Sequence, residues 1–419
     1  MQPPISIILP VRNEEKYIVG CLRSITVQDY PHDCMEILVI DGRSTDSTID
    51  KVNEFKAEPF DIAQGKSSKL KEIQVLDNPK KIVSAGLNIG FRAARGDIIM
   101  RMDAHAEYGR DYISQCLAAL EKSGAANVGG PALALPGGPG PMAQAIALAH
   151  YSPFGLGGGQ FRNPGAEGFV ETVWPGCFRR EVFEKVGYID ERRTRTEDLE
   201  FNTRLRAAGY QIFITPLIRA HYYCRTTLRQ TWRQRWADGW EITRFLPDNP
   251  KAPRLRHFIP LLFVSTILLL IMASSISYSG PTPPYPPRSG EGLVNGFGPI
   301  ALLLLALVLG AYFGAMAVAV IMAALSEKRK AESGKNDQFK EGQSIHNGDK
   351  MGMPSANNRM STESPSCVNG MSTVTPSHNN IMTSLLLLPI VFMTLHFSYG
   401  LGSLWGLISL PCWAARKKR

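Results

Sequence analysis

Asp97-Ile98-Ile99-Met100-Arg101-Met102-Asp103-Ala104-His105 is the stretch on which the fold turns. An apolar run with strand character ends abruptly in polar groups, as a buried strand does where its sheet opens to solvent. In an extended chain the side chains at i and i+2 share a face, so Asp103 and His105 are expected side by side, with Glu107 continuing the alternation. Such a pair suits one divalent cation, Mn²⁺ or Mg²⁺, and the imidazole tilts the choice toward Mn²⁺. A cation there would neutralise a diphosphate, which suggests a nucleotide-activated substrate. By itself an Asp-x-His is better explained as a polar strand end with a locally satisfied histidine. The surrounding chain decides.

Working outward, the same pattern recurs. Ile5 to Leu9 is a short apolar run closed by Pro10, and Asn13 sits where a helix cap belongs, with Glu14 and Glu15 in the first turn. Met35 to Ile40 ends at Asp41, with Ser44 or Thr45 placed to cap the next helix. Ile73 to Leu76 and Val128 to Leu133 continue the strand series, and helices are expected at 82–95 and 111–121. This alternation over residues 1–225 predicts an α/β domain with right-handed crossovers and a mainly parallel sheet. Ligands of such sheets bind beyond the strand carboxyl ends, where Asp41 and Asp103 both fall. Residues 56–71 read as an insertion, and the Gly- and Pro-rich stretch 136–168 as a mobile or substrate-shaping loop.

No Gly-rich phosphate loop follows the first strand, so a nucleotide would be held by acidic groups at base and ribose. The candidates are Pro10, Arg12 and Glu14 in the first loop, and Asp41 and Ser44 in Asp41-Gly42-Arg43-Ser44-Thr45-Asp46. Further on, Thr194-Arg195-Thr196-Glu197-Asp198-Leu199 opens a helix that ends at Gly209. Thr194 and Glu197 have capping-box spacing, which explains the acids structurally. The functional alternative makes Asp198 a general base toward an acceptor hydroxyl, supported by Glu197. Trp174-Pro175-Gly176-Cys177-Phe178, a Gly-centred bend ahead of a short helix over 180–186, offers Trp174 and Gly176 as an acceptor floor. The basic, aromatic stretch Arg229 to Trp236 reads as an amphipathic helix on a membrane surface, where Arg235 and Trp236 can roof the site.

The net charge of +9 comes partly from clusters at Arg254 and Arg256, Lys328 to Lys330 and Arg416 to Arg419, each flanking an apolar segment. That fits positive flanks on the cytoplasmic side better than a nucleic-acid surface. The seven cysteines are scattered with no Cys-x-x-Cys pair, against structural zinc or a disulfide framework. The start MQPPISIILP lacks a basic region and a cleavage site, so no secretory signal is expected. Residues 226–256 form the expected interface helix region, and 257–325 two spans, Phe258 to Ser279 and Pro299 to Leu325, around an external loop at 280–296. Residues 326–380 read as a disordered polar cytosolic insert. The third membrane segment, 381–413, is a hairpin broken near Gly400 and Gly402 or a single span, the hairpin being preferred.

The order of these pieces is strand–Asn-Glu-Glu, strand–Asp-Gly-x-Ser-Thr-Asp, strand–Asp-Ala-His, then Glu-Asp, then membrane. Over roughly residues 4–245 it resembles family 2 glycosyltransferases of the GT-A fold, most of all the succinoglycan-biosynthesis type of membrane-bound glucosyltransferase. The segment His396 to Gly406, HFSYGLGSLWG, resembles that type's tail. The resemblance implies that Asp41 contacts the nucleoside, Asp103 and His105 bind the metal and diphosphate, and Asp198 is the base of an inverting displacement. The family usually has a second Asp where this chain has His105. Processive synthases carry Gln-x-x-Arg-Trp, and here Trp232 stands in place of the Gln before Arg235-Trp236. The implied activity is therefore a single transfer from a nucleotide sugar, UDP-glucose, to a polyprenyl-diphosphate-linked glycan in exopolysaccharide or cell-surface polysaccharide synthesis. It implies a multi-pass protein of the cytoplasmic membrane with its catalytic domain in the cytosol, and no nucleic-acid partner. The sequence leaves open transfer to polyprenyl phosphate itself, or a non-catalytic membrane-tethered nucleotide-sugar-binding protein.

Overall fold

The computed structural model describes residues 2–57, 73–156, 158–250, 253–278, 292–348 and 378–417. The first half alternates strand and helix: β1 (Ile5–Val11), α1 (Ile18–Thr26), β2 (Met35–Asp41), α2 (Thr48–Ala57), β3 (Ile73–Asp77), α3 (Val83–Ala93) and β4 (Ile98–Arg101). Then come β5 (Ala106–Tyr108), α4 (Tyr112–Ser123), β6 (Asn127–Gly129), β7 (Ala132–Leu135), α5 (Pro141–Tyr151), β8 (Gly168–Phe169) and β9 (Cys177–Arg179). The domain closes with α6 (Glu181–Val186), α7 (Glu197–Ala207), β10 (Ile212–Ile214) and β11 (Ala220–Tyr223). Among the described residues there follow α8 (Leu228–Phe245), α9 (Ile259–Tyr278), α10 (Gly292–Gly348) and α11 (His378–Lys417).

The continuous apolar runs are explained by burial on both faces. Ile5, Ile7 and Leu9 join one core with Ile37, Val39, Ile98 and Met100. Ile8, Leu38, Ile40 and Ile99 join a second core on the opposite face, with Phe91, Phe183 and Phe201. The main sheet runs β3-β2-β1-β4-β9-β6-β10-β8. Strands β3, β2, β1 and β4 pair in parallel, as does β6 with β10, while β9 is inserted antiparallel between β4 and β6. A second sheet, β5-β11-β7, stands beside it.

Several local expectations change. The run Val128 to Leu133 is not one strand: it breaks at Gly130-Pro131, β6 staying in the main sheet and β7 crossing to the second. A side chain on Gly130 would collide with the Ile218 backbone, so the switch needs glycine. The stretch 136–168 is not a plain loop, since α5 lies within it and packs Ile146 and Leu148 against Leu388, Phe392 and Leu395 of α11. Neither Asn13 nor Ser44 caps a helix: α1 begins only at Ile18, and the two side chains clasp neighbouring loops. The Asn13 Oδ1 accepts from the Thr45 backbone N–H at 2.8 Å, and the Asn13 N–H donates to Ser44 Oγ at 3.0 Å. The expected insertion at 56–71 lies, beyond α2, outside the described residues.

Gly298–Arg329 of α10 and Ile381–Pro411 of α11 are long and apolar enough to cross a membrane. The described apolar part of α9, Ile259–Ser275, is shorter, rising about 26 Å at ~1.5 Å per residue against a hydrocarbon core of roughly 30 Å. The polar stretch expected to be disordered from Ser326 instead continues α10 to Gly348, and 349–377 lies outside the described residues, as does the expected external loop through 291. Residues 381–413 form no hairpin: α11 is one continuous helix.

Gly400 and Gly402 are packing positions rather than breaks. A side chain on Gly402 would collide with the Trp236 carbonyl, one on Gly400 with the Pro260 carbonyl, and one on Gly239 of α8 with the Tyr399 carbonyl. Helices α8 and α11 thus approach backbone to backbone, as small residues permit in membrane proteins. Gly402→Leu is expected to separate them, lowering stability by about 1–3 kcal/mol or more, whereas Gly314→Leu, with nothing within 4 Å, should be neutral. Thermal unfolding of the two variants in the same detergent checks this; equal melting points would refute the packing role.

Candidate active site

The centre of the site is a buried arginine inside an apolar strand. Along β4, Ile98 and Met100 face one core and Ile99 the other, so alternation puts Arg101 on the Ile99 side, toward α6 and α7. Its guanidinium gathers three carboxylates. Nε donates to Asp103 Oδ1 at 3.0 Å, Nη2 to Asp103 Oδ2 at 3.3 Å and to Glu197 Oε1 at 3.4 Å, and Nη1 to Asp198 Oδ1. Arg101 is only 6% exposed and Asp103 8%. Trp174 Nε1 donates to Asp103 Oδ2 at 2.8 Å, so both oxygens of that carboxylate accept hydrogen bonds.

Asp103 and His105 share the cleft, but not as neighbours on one extended strand. Strand β4 stops at Arg101 and the chain turns at Ala104-His105, closed by the Ala106 N–H on the Asp103 carbonyl at 3.1 Å. The i, i+2 rule holds only while the backbone is extended; here the His105 Nδ1 meets Glu14 Oε1 at 3.2 Å, although the ring stays near enough to help hold the Asp103 carboxyl down. Glu107 sits on β5 of the second sheet and accepts from Tyr223 Oη at 3.0 Å. Among the described residues no three His, Cys, Asp or Glu side chains are grouped to hold a metal ion. The cation that these acids face in the structure is Arg101, and Asp103 and His105 both line the cleft beside it.

Glu197 and Asp198 open α7, but not as a capping box. The N-cap residue is Thr196, with φ 36° and no side-chain cap, and Thr194 Oγ1 instead donates to Glu241 Oε1 at 3.1 Å. The structural explanation for the acids is thereby weakened. Burial, and then the charge of Asp198, push the Glu197 carboxyl up to about 7. Burial also raises Asp198, with Arg101 opposing. A carboxyl raised on folding favours its neutral form, so this contribution to stability is present below the ordinary 4.5 and lost as pH rises through about 7. A base drawn from this pair must be ionised, so kcat/KM is expected to rise with pH through an apparent pKa near 7. In Glu197→Gln that limb should move to lower pH. A pH–rate profile unchanged by the substitution would remove Glu197 from the pair.

These acids open into one cleft of about 480 Å³. Pro10, Arg12, Glu14, Asp103, His105, Trp174, Glu197, Asp198 and Arg235 all line it. Asp41, Ser44, Gly176 and Trp236 do not. The Asp41 Oδ1 accepts from the Ser44 N–H at 3.0 Å and from Ser44 Oγ at 2.7 Å, shaping the loop whose Gly42 reaches the cleft. The Gly176 carbonyl accepts from the Arg101 N–H at 3.0 Å and so positions the central arginine, while Trp236 packs on α11. Sequence reasoning missed Arg101, Asn78, Lys81, Arg195 and Asp238, all in the lining. For Arg101 a signal existed: a charged side chain inside an apolar strand costs too much to bury without partners. The others sit on loops or on α8, with no local pattern.

Residues 6–187 match the family model of Glycosyl transferase family 2, and 173–318 that of Glycosyl transferase family group 2. The chain is 30% identical over 236 residues to the dolichyl N-acetyl-alpha-D-glucosaminyl phosphate 3-beta-D-2,3-diacetamido-2,3-dideoxy-beta-D-glucuronosyltransferase of Methanococcus voltae, covering 55% of this chain and 70% of that one. It is 29% identical over 257 residues to the succinoglycan biosynthesis protein ExoA of Rhizobium meliloti, covering 61% and 74%. Among solved structures, the mannosyltransferase PcManGT from Pyrobaculum calidifontis in complex with GDP-Man and Mn²⁺ is 18% identical with a TM-score of 0.42, over 79% of this chain and 80% of that one. The mainly parallel sheet, with an acid pair over its carboxyl edge, belongs to a glycosyltransferase of the GT-A kind. The chain is a member of glycosyl transferase family 2.

Proposed function

We propose that this enzyme transfers one sugar, glucose from UDP-glucose, with inversion to a polyprenyl-diphosphate-linked glycan at the cytosolic face of the cytoplasmic membrane. The observation that carries the reading is the acid pair Glu197–Asp198 in a cleft roofed by α8, which itself packs on the apolar helix α11. The roof is built by Thr231, Gln234, Arg235 and Asp238. Arg12 and Lys81 line the wall at the strand tips and suit the donor's diphosphate. The acceptor hydroxyl oxygen attacks the anomeric carbon as the bond from that carbon to the diphosphate oxygen breaks. Asp198 takes the hydroxyl proton, and the nucleoside diphosphate leaves with the bonding pair. Arg101 and Glu197 hold the base in place. The name of the Methanococcus relative describes a dolichyl-phosphate-linked acceptor, and that of the Rhizobium relative a polysaccharide pathway; both favour a lipid-linked glycan.

The test is a screen of nucleotide sugars against membranes containing the protein, reading product mass in the organic-extractable fraction. One donor should add one hexose to a lipid-linked species. No product from any donor, or a ladder of repeated additions, would overturn the single-transfer reading. Competition between phosphate-linked and diphosphate-linked lipids decides the acceptor.

A further inference from the structure

The wall of the cleft formed by α8, β11 and the segments around Arg162 and Arg256 carries more positive charge than the protein neutralises. Arg162, Arg195, Arg225, Arg235 and Arg256 all line it. Asp238 is shared between Arg195 at 2.7 Å and Arg235 at 2.9 Å. Glu171, behind the wall, is shared between Arg254 at 2.7 Å and Arg256 at 3.6 Å. Arg162 donates to the neutral Tyr222 Oη at 3.2 Å and lies over the Phe161 ring, and among the described residues neither it nor Arg225 has a carboxylate partner. Arg235 rests on the Tyr399 ring of α11, and its Nε–H is buried without a hydrogen-bond partner. A donor left unpaired in a cationic wall is a costly arrangement unless an anion completes it.

Two histidines report the same excess. Burial first, and then Arg162, push His150 down to about 3. Burial and then Arg256 push His257 down to about 4. Both stay neutral at physiological pH, so they add donors and acceptors to the wall but no charge.

Apolar side chains complete the surface. Leu156 lines the same cleft, with Ile146 of α5 and, from α11, Leu395 at its floor, the last two almost wholly buried. Behind them Ile146 and Leu395 continue into the cluster that joins α5 to α10 and α11, both long and apolar enough to cross a membrane. A ligand matched to this wall has a phosphate head for the arginines and a hydrocarbon tail for α11.

Resting on the proposed function, we infer that Arg162, Arg225, Arg235 and Arg256 form the seat for the phosphate or diphosphate head of an isoprenoid-linked acceptor, its first isoprene units lying along α11 beside Leu395. The donor's diphosphate is held by a different pair of the cleft's cations, Arg12 and Lys81, whose segments are joined by the Arg12 Nη1 donating to the Lys81 carbonyl at 3.2 Å. The two anions therefore have separate sets of cationic side chains in the cleft that holds the acid pair, and the acceptor is selected by head and tail together.

Direct binding tests this without turnover, so its outcome is independent of whether transfer is observed. The full chain in detergent is titrated with farnesyl diphosphate, farnesyl phosphate, inorganic diphosphate, farnesol and UDP. Wild type is expected to bind farnesyl diphosphate at least tenfold tighter than either inorganic diphosphate or farnesol, and without displacing UDP. The monophosphate arm separates the two head groups. Arg162→Gln with Arg225→Gln, both away from the buried Arg101 cluster, should weaken farnesyl diphosphate at least tenfold, the loss of charge-assisted hydrogen bonds, and leave UDP affinity unchanged. Thermal unfolding of the double variant confirms that it is folded; should it not be, Arg162→Gln alone is measured by the same titration. The inference is overturned if inorganic diphosphate binds as tightly as the farnesyl compound, if farnesyl diphosphate competes with UDP, or if the arginine variants lose UDP rather than the isoprenoid.

Discussion

Asp198→Asn should lower kcat by about 10²–10⁴-fold, the usual worth of a general base, while UDP affinity stays within twofold. The substitution is nearly isosteric, and an amide oxygen can still accept from Arg101, so the fold around α7 should survive. What is lost is the ability to take the acceptor proton. Glu197, the next residue on the same helix, prevents a clean zero: it is buried in the same acid cluster and already favours a proton near neutral pH. Asp198→Asn with Glu197→Gln is therefore expected to be lower than either single variant. Single-turnover transfer into extracted lipid, with UDP binding measured in parallel, separates the step from the donor site. Wild-type transfer by purified Asp198→Asn would refute the assignment.

Arg101→Met is expected to be the most destabilising single change in the domain, by about 3–5 kcal/mol, because removing one partner from a buried ionic cluster leaves uncompensated charge. Here Asp103, Glu197 and Asp198 would face one another without their shared cation. A loss of that size corresponds to a fall of roughly 6–20 °C in melting temperature. Its pH dependence has a defined sign. In the wild type Arg101, opposing burial, holds the Asp103 carboxyl below its usual range, a contribution present above about 4 and lost as pH falls. In the variant the three carboxyls rise together, so each favours its neutral form and the deficit shrinks as pH falls. Melting curves at pH 8 and pH 5.5 check this: the gap to wild type should be larger at pH 8. Arg101→Lys, which keeps the charge but not the fork, should recover part of the stability. A Met variant as stable as wild type at pH 8 would mean that the cluster is not a structural centre.

The strand–helix series was legible because each of its elements carries a local signal. Ile5 to Leu9, Met35 to Ile40 and Ile98 to Met100 alternate between two cores, and an element buried on both faces announces itself as an apolar run. The position of the acids at the sheet's carboxyl edge followed from the same signal. Short elements were less legible: β9 is three residues placed between β4 and β6 by pairing alone, and it reads from sequence as part of a bend. Asn13, Ser44 and Thr194 misled for a related reason. A residue able to cap its own helix can equally bond a neighbouring loop, and the choice depends on what lies alongside.

Sequence alone determined the α/β class, the mainly parallel sheet, the family likeness and the acids Asp103, Glu197 and Asp198. These rest on periodicity and on short spacings, which are properties of adjacent residues. Tertiary structure decided which groups these acids meet. Arg101 and Asp198 are 97 positions apart in the chain, and the i, i+2 logic that paired Asp103 with His105 failed where the backbone turned. The close approach of α8 to α11 through Gly239 and Gly402 joins segments still further apart. A buried charge is stable only beside its counter-charges, and packing rather than local pattern sets which distant segments supply them.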